Sequence, residues 1–149
     1  MAVSHSSQIS HSAVRLVAAF VGGVFLLVGV AGFIPGLTTG YDTLQFAGHH
    51  SQAALLGVFA VSILHNLVHI AFGVAGLILS RTPAAATAFL IGGGAIYLVL
   101  WLYGLIVDAG SVANFVPVNT ADNWLHLLLG AGMLVLGLVF RARRTASKE

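Results

Sequence analysis

Leu64-His65-Asn66-Leu67-Val68-His69 is the stretch on which the reading of this chain turns. It lies inside an apolar run over residues 53–80 that is long enough to cross a bilayer. Polar groups at such a depth need partners, because lipid offers none. His65 and His69 stand at i and i+4, so they share one helical face. That face is predicted to point into a helix bundle, since turning it to lipid is costly. A second version, Asn123-Trp124-Leu125-His126, lies in the last apolar run.

Outward from this stretch the chain reads as four membrane spans, at about 13–34, 53–80, 84–107 and 123–140. The composition agrees. Of 149 residues, 58% are hydrophobic and 7% charged, whereas a soluble domain carries about 25% charged residues. Span one ends at Pro35-Gly36, which stops a helix. Span two exceeds the roughly 30 Å hydrocarbon core, so its start is expected in or above the interface. Span three contains Gly92-Gly93-Gly94, tolerated in a packed bundle, with Tyr97, Trp101 and Tyr103 as candidate interface aromatics. Span four reads as the shortest, with Asp122 as its N-cap. Residues 1–12 read as a mobile tail and 141–149 as a basic tail. The first apolar run is too long for a signal-peptide core and is read as a retained helix.

The chain has no cysteine, so disulfides, iron–sulfur clusters and thiolate nucleophiles are excluded. Its net charge of +2 does not indicate nucleic-acid binding, because the basic residues cluster on a short tail without stacking aromatics. The six Lys and Arg lie at the start of span one, between spans two and three, or after span four. The other two loops carry only the acids Asp42, Asp108 and Asp122. The positive-inside rule therefore predicts both termini and the Arg81 turn in the cytoplasm, in a multi-pass protein of the cytoplasmic membrane.

The pattern Asn-x-x-His-x-x-x-Gly occurs at Asn66/His69/Gly73 and again at Asn123/His126/Gly130. Phe33-Ile34-Pro35 and Phe115-Val116-Pro117 precede the two copies. The expectation is two parallel helix hairpins related by an axis along the membrane normal. At the helical rise His69, His126 and His65 fall roughly 18, 22 and 24 Å above the cytoplasmic helix ends. His65, Asn66, His69, Asn123 and His126 are thus predicted to form one intramembrane polar layer joining spans two and four.

Three chemistries suit that layer. The first is interhelical hydrogen bonding that fixes register, at about 1 kcal/mol per contact. The second is metal or haem b ligation by His65 or His69 with His126, since neutral imidazoles are good ligands. The sequence requires no cofactor, and the layer contains no carboxylate. The third is a pocket for a quinone or small apolar ligand, with histidine as hydrogen-bond partner. A channel would need oligomerisation, as no buried carboxylate or Arg lines a path. In the outer loops Asp42, His49, His50, Asp108 and Asp122 are polar candidates for weak cation binding, and more simply loop and cap residues. No catalytic constellation is evident. The leading expectation is a non-enzymatic structural or accessory protein, in contact with the bilayer and with a larger membrane complex or a homo-oligomer.

Three motifs carry a resemblance. They are Gly32-Phe33-Ile34-Pro35-Gly36-Leu37-Thr38-Thr39, then Leu64 to His69 with Phe72-Gly73, then Ala113 to Thr120 followed by Ala121-Asp122-Asn123-Trp124-Leu125-His126. Together they resemble an uncharacterised actinobacterial membrane family, domain of unknown function 4383, over about residues 13–140. The resemblance implies four helices in the cytoplasmic membrane of a high-GC Gram-positive bacterium and brings no catalytic residue with it.

Overall fold

The computed structural model describes the backbone of residues 2–146 and the side chains of residues 11–146. Four helices carry the chain: α1 (Ala2–Ala31), α2 (Ile63–Leu79), α3 (Pro83–Ile106) and α4 (Thr120–Ala146). Between α1 and α2 lie three two-residue strands, β1 (Thr38–Thr39), β2 (Ala54–Leu55) and β3 (Phe59–Ala60), in the order β1-β2-β3 with antiparallel pairing.

Short polar side chains set the helix ends. Ser62 Oγ accepts the His65 N–H at 3.1 Å and starts α2. Thr82 Oγ1 does the same for Ala85 N–H at 3.3 Å, with Pro83 at the first helical position of α3. At the end of α1 the Thr38 hydroxyl lies 3.3 Å from the Ala31 carbonyl and 3.2 Å from that of Gly32, taking up carbonyls the helix leaves unbonded.

Several span limits differ from the expectation. The helix of span two begins at Ile63, not at residue 53. The preceding residues fold into the ribbon β2–β3, whose turn has left-handed φ at Leu56 (53°) and Gly57 (70°). Hydropathy alone does not separate a buried helix turn from a short buried ribbon, which explains the misplacement. With 17 residues α2 is the shortest helix, and α4 with 27 is not. The helix of α4 continues past Phe140 through the arginines, since leaving the bilayer does not end a helix made of good helix formers. Residues 147–149 of the basic tail lie outside the described residues. Likewise α1 runs from Ala2, so the residues expected to form a mobile tail continue the helix; the side chain of His5 lies outside the described ones.

Glycines let the helices pair closely. A Cβ added at Gly22 would lie 2.9 Å from the Gly73 carbonyl oxygen, and one at Gly94 2.8 Å from that of Gly130. Backbone therefore meets backbone in α1–α2 and again in α3–α4. These two hairpins join through α1 and α3, with α1 also touching α4 and α2 touching α3. The shared core is Val14, Ala18, Phe25, Ala86, Phe89, Leu90, Tyr97, Met133 and Phe140. Large apolar side chains such as Leu16, Phe20, Leu27, Val99 and Leu128 face outward. His11–Ala31, α3 and α4 are long and apolar enough to cross a membrane, while α2 is apolar and shorter. An outer surface of this kind requires lipid, and the molecule is a membrane protein.

Candidate functional site

The five residues expected to form a polar layer stand in the first two turns of α2 and α4. His65, Asn66 and His126 are buried. The His65 and His69 rings, one turn apart on α2, lie 4.1 Å centroid to centroid. His69 Nδ1 is 3.0 Å from the His65 carbonyl oxygen. A carbonyl only accepts, so Nδ1 carries the proton and Nε2 presents a lone pair. The Tyr97 hydroxyl, 3.3 Å away on α3, donates to that lone pair. Both nitrogens of His69 are engaged, and the second contact crosses from one hairpin to the other.

His65 Nδ1 lies 3.4 Å from Asn66 Oδ1, also as donor. The Asn66 amide in turn lies over Gly32: a Cβ there would be 2.2 Å from Asn66 Oδ1. Asn123 lies over Gly104 in the same way, at 2.0 Å. In both places a glycine Cα–H is aimed at an amide oxygen, a weak recurring contact between helices. Among the described residues no hydrogen bond reaches Asn123 Oδ1 or Asn66 Nδ2.

His126 is placed differently from the expectation. It meets neither α2 imidazole through a hydrogen bond. Its ring packs edge-on to Tyr97 at 5.2 Å, and its buried Nδ1 has no hydrogen-bond partner among the described residues. Phe25 of α1 packs 5.5 Å from His69 and 5.2 Å from Tyr97. Of the helix pairs α2 and α4 are least in contact. Tyr97, read from the sequence as an interface aromatic, is a buried member of the layer. The available signal was its depth, about ten residues before the end of span three.

The loop candidates do not gather. His49 and His50 stack on one another at 4.0 Å, and Asp42 sits in a short helical turn, Tyr41–Thr43. Asp108 Oδ1 accepts the Gly110 N–H at 2.8 Å. Asp122 is not the N-cap of α4. Asn119 occupies that position: its Oδ1 accepts the Asp122 N–H, and Asp122 Oδ2 accepts the Asn119 N–H, each at 3.0 Å. This is a reciprocal capping box. Asp122 Oδ2 also accepts the Ala60 N–H at 3.0 Å, and Asn119 Nδ2 donates to the Val58 carbonyl at 2.8 Å, so the cap ties β3 to α4. Among the described residues no three His, Cys, Asp or Glu form a group able to hold a metal ion.

A family model matches residues 15–139, nearly the whole bundle with its polar layer and both loops. The chain belongs to the DUF4383 family. That family is described as a domain of unknown function, so membership fixes kinship and leaves activity open. No curated protein and no solved structure matches the chain.

Proposed function

We propose that this DUF4383 protein is a non-enzymatic, multi-pass protein of the cytoplasmic membrane, a structural or accessory component of a larger membrane complex. The observation that carries this reading is the double engagement of His69. The best-placed imidazole of the layer is held by its own helix at Nδ1 and by Tyr97 of the other hairpin at Nε2. Its hydrogen-bonding capacity is used within the chain, as interhelical bonding requires.

Haem b ligation by His69 with His126 fits poorly. His69 Nε2 would have to leave the Tyr97 hydroxyl, and the ring of His126 is packed against Tyr97 as well. The hydrogen-bonding readings are separated by the visible spectrum of the detergent-purified protein, air-oxidised and then dithionite-reduced, with metal analysis. A colourless, metal-free protein is expected. A Soret band lost in His69→Ala or His126→Ala would overturn the structural reading. One observation favours a second function: the buried Nδ1 of His126, without a hydrogen-bond partner among the described residues, suits one carbonyl oxygen of an apolar ligand such as a quinone.

The two hairpins are read as a parallel internal repeat. Gly22, Phe25 and Gly32 of α1 and its end correspond at one constant offset to Gly94, Tyr97 and Gly104 of α3. Asn66, His69 and Gly73 correspond at another to Asn123, His126 and Gly130. The glycine–glycine, asparagine–glycine and aromatic–histidine contacts recur in each pair, which supports the correspondence. The arginine end of the bundle is assigned to the cytoplasm by the distribution of Lys and Arg. Alkaline-phosphatase fusions after Tyr41 and Asn119 should be active and one after Arg81 inactive; the opposite pattern would reverse the orientation.

A further inference from the structure

We infer that residues 44–62, the roof over the first hairpin, are immersed in the membrane and bind the lipid of that leaflet through Phe46, Leu56 and Val58. The inference rests on the chain being a membrane protein and is independent of which end faces the cytoplasm.

The first hairpin is short. Arg15 Nε donates to the Ser80 carbonyl at 3.1 Å, which sets Arg15 level with the end of α2. From that level α1 rises roughly 24 Å to Ala31, and α2 as a whole spans roughly 25 Å. The hydrocarbon core is about 30 Å thick. The second hairpin has no such deficit, since α3 alone spans roughly 36 Å at the same rise. With the arginine end at its own interface, the layer just beyond Ala31 and Ile63 is still hydrocarbon. The roof is what fills it.

The roof is built for that position. Residues 44–62 contain no Asp, Glu, Lys or Arg. Irregular backbone at membrane depth is tolerated where protein surrounds it and its polar groups are matched. Here Ile63 and Leu64 N–H groups donate to the Gln45 and Phe46 carbonyls at 3.0 and 2.8 Å, and the Ser51 hydroxyl donates to the Val61 carbonyl at 2.6 Å. Ala53, Leu55 and Val61 form a buried apolar cluster beneath. Phe46, Leu56 and Val58 remain 63%, 65% and 49% exposed, although they are large and apolar. Leu56 holds this exposure at φ 53°, a conformation costly for a branched side chain and easier for glycine. The occupant that matches uncharged, outward apolar groups at this height is the acyl and glycerol region of the bilayer, continuous with the lipid around α1 and α2.

The native chain has no cysteine, so single-cysteine nitroxide labelling of the full-length protein in phospholipid vesicles is clean. Labels at Phe46→Cys, Leu56→Cys and Val58→Cys are compared with Leu128→Cys on the outward face of α4 and Asp42→Cys in the exposed turn. The expected result is an oxygen-to-nickel-chelate accessibility ratio near that of Leu128→Cys and several-fold above that of Asp42→Cys. A ratio equal to that of Asp42→Cys would overturn the inference. Labels shielded from both reagents would overturn it too, because protein rather than lipid would then cover the roof. The three sites are read separately, so one variant that does not fold leaves two that decide.

Discussion

The Tyr97 hydroxyl donates across 3.3 Å to His69 Nε2, and this bond joins α3 of the second hairpin to α2 of the first. Under the proposed repeat its counterpart would run from residue 25 of α1 to His126 Nε2. Residue 25 is Phe, packed against His69 of its own hairpin and against Tyr97. A phenyl ring has no hydroxyl to donate.

That asymmetry makes Phe25→Tyr informative. A buried hydroxyl without a partner costs about 1–3 kcal/mol. If the hairpins are repeats, the new hydroxyl meets His126 as Tyr97 meets His69, and the melting temperature in detergent should change little or rise. A fall of the size expected for an unpaired hydroxyl would count against the repeat.

Glycine positions test the helix pairing. A Cβ at Gly73 would lie 2.5 Å from the Leu26 backbone nitrogen, and one at Gly94 2.6 Å from that of Leu134. Helix backbone cannot give way there as a side-chain tip can. Gly73→Ala and Gly94→Ala should each lower stability by about 1–3 kcal/mol, the range for forced overpacking. Gly23→Ala and Gly132→Ala, with nothing within 4 Å, should be neutral or slightly stabilising because alanine favours the helix. Thermal melts of the four variants in one detergent make the comparison.

The capping box predicts a local effect at the loop end. Asp122→Ala removes the acceptor of the Asn119 and Ala60 N–H groups together. Amide exchange at Ala60 should accelerate, and stability should fall by about 1–2 kcal/mol, in the range for lost caps. Asp108→Ala, whose carboxylate serves one exposed amide, should stay within about 0.5 kcal/mol of the wild type. Equal effects would show that Asp122 does not hold the roof to α4.

Much of this architecture was written in local signals. The apolar runs, the Ser and Thr beside helix starts, and the i, i+4 spacing of His65 and His69 all act within a few residues, and the structure follows them. What escaped depends on contacts distant in sequence. Residues 53–62 are as apolar as the helix they precede, and only pairing with Thr38–Thr39 and burial under the loop makes them a ribbon. Asp122 reads as a cap by composition, but Asn119 three residues earlier competes for the same place and takes it. Tyr97 looked like an interface aromatic because a tyrosine's partner cannot be seen in its own helix. The packing of His126 on Tyr97 depends on which helices meet, and helix order is not encoded in hydropathy.

The most direct test of the account is a double-mutant cycle on Tyr97→Phe and His69→Leu, followed by unfolding in detergent. An internal clamp predicts that each single change is destabilising and that the double variant is less unstable than their sum, with a coupling of roughly 0.5–2 kcal/mol as for hydrogen bonds between membrane helices. Strictly additive losses, or single variants as stable as the wild type, would contradict the claim that this bond holds the two hairpins together.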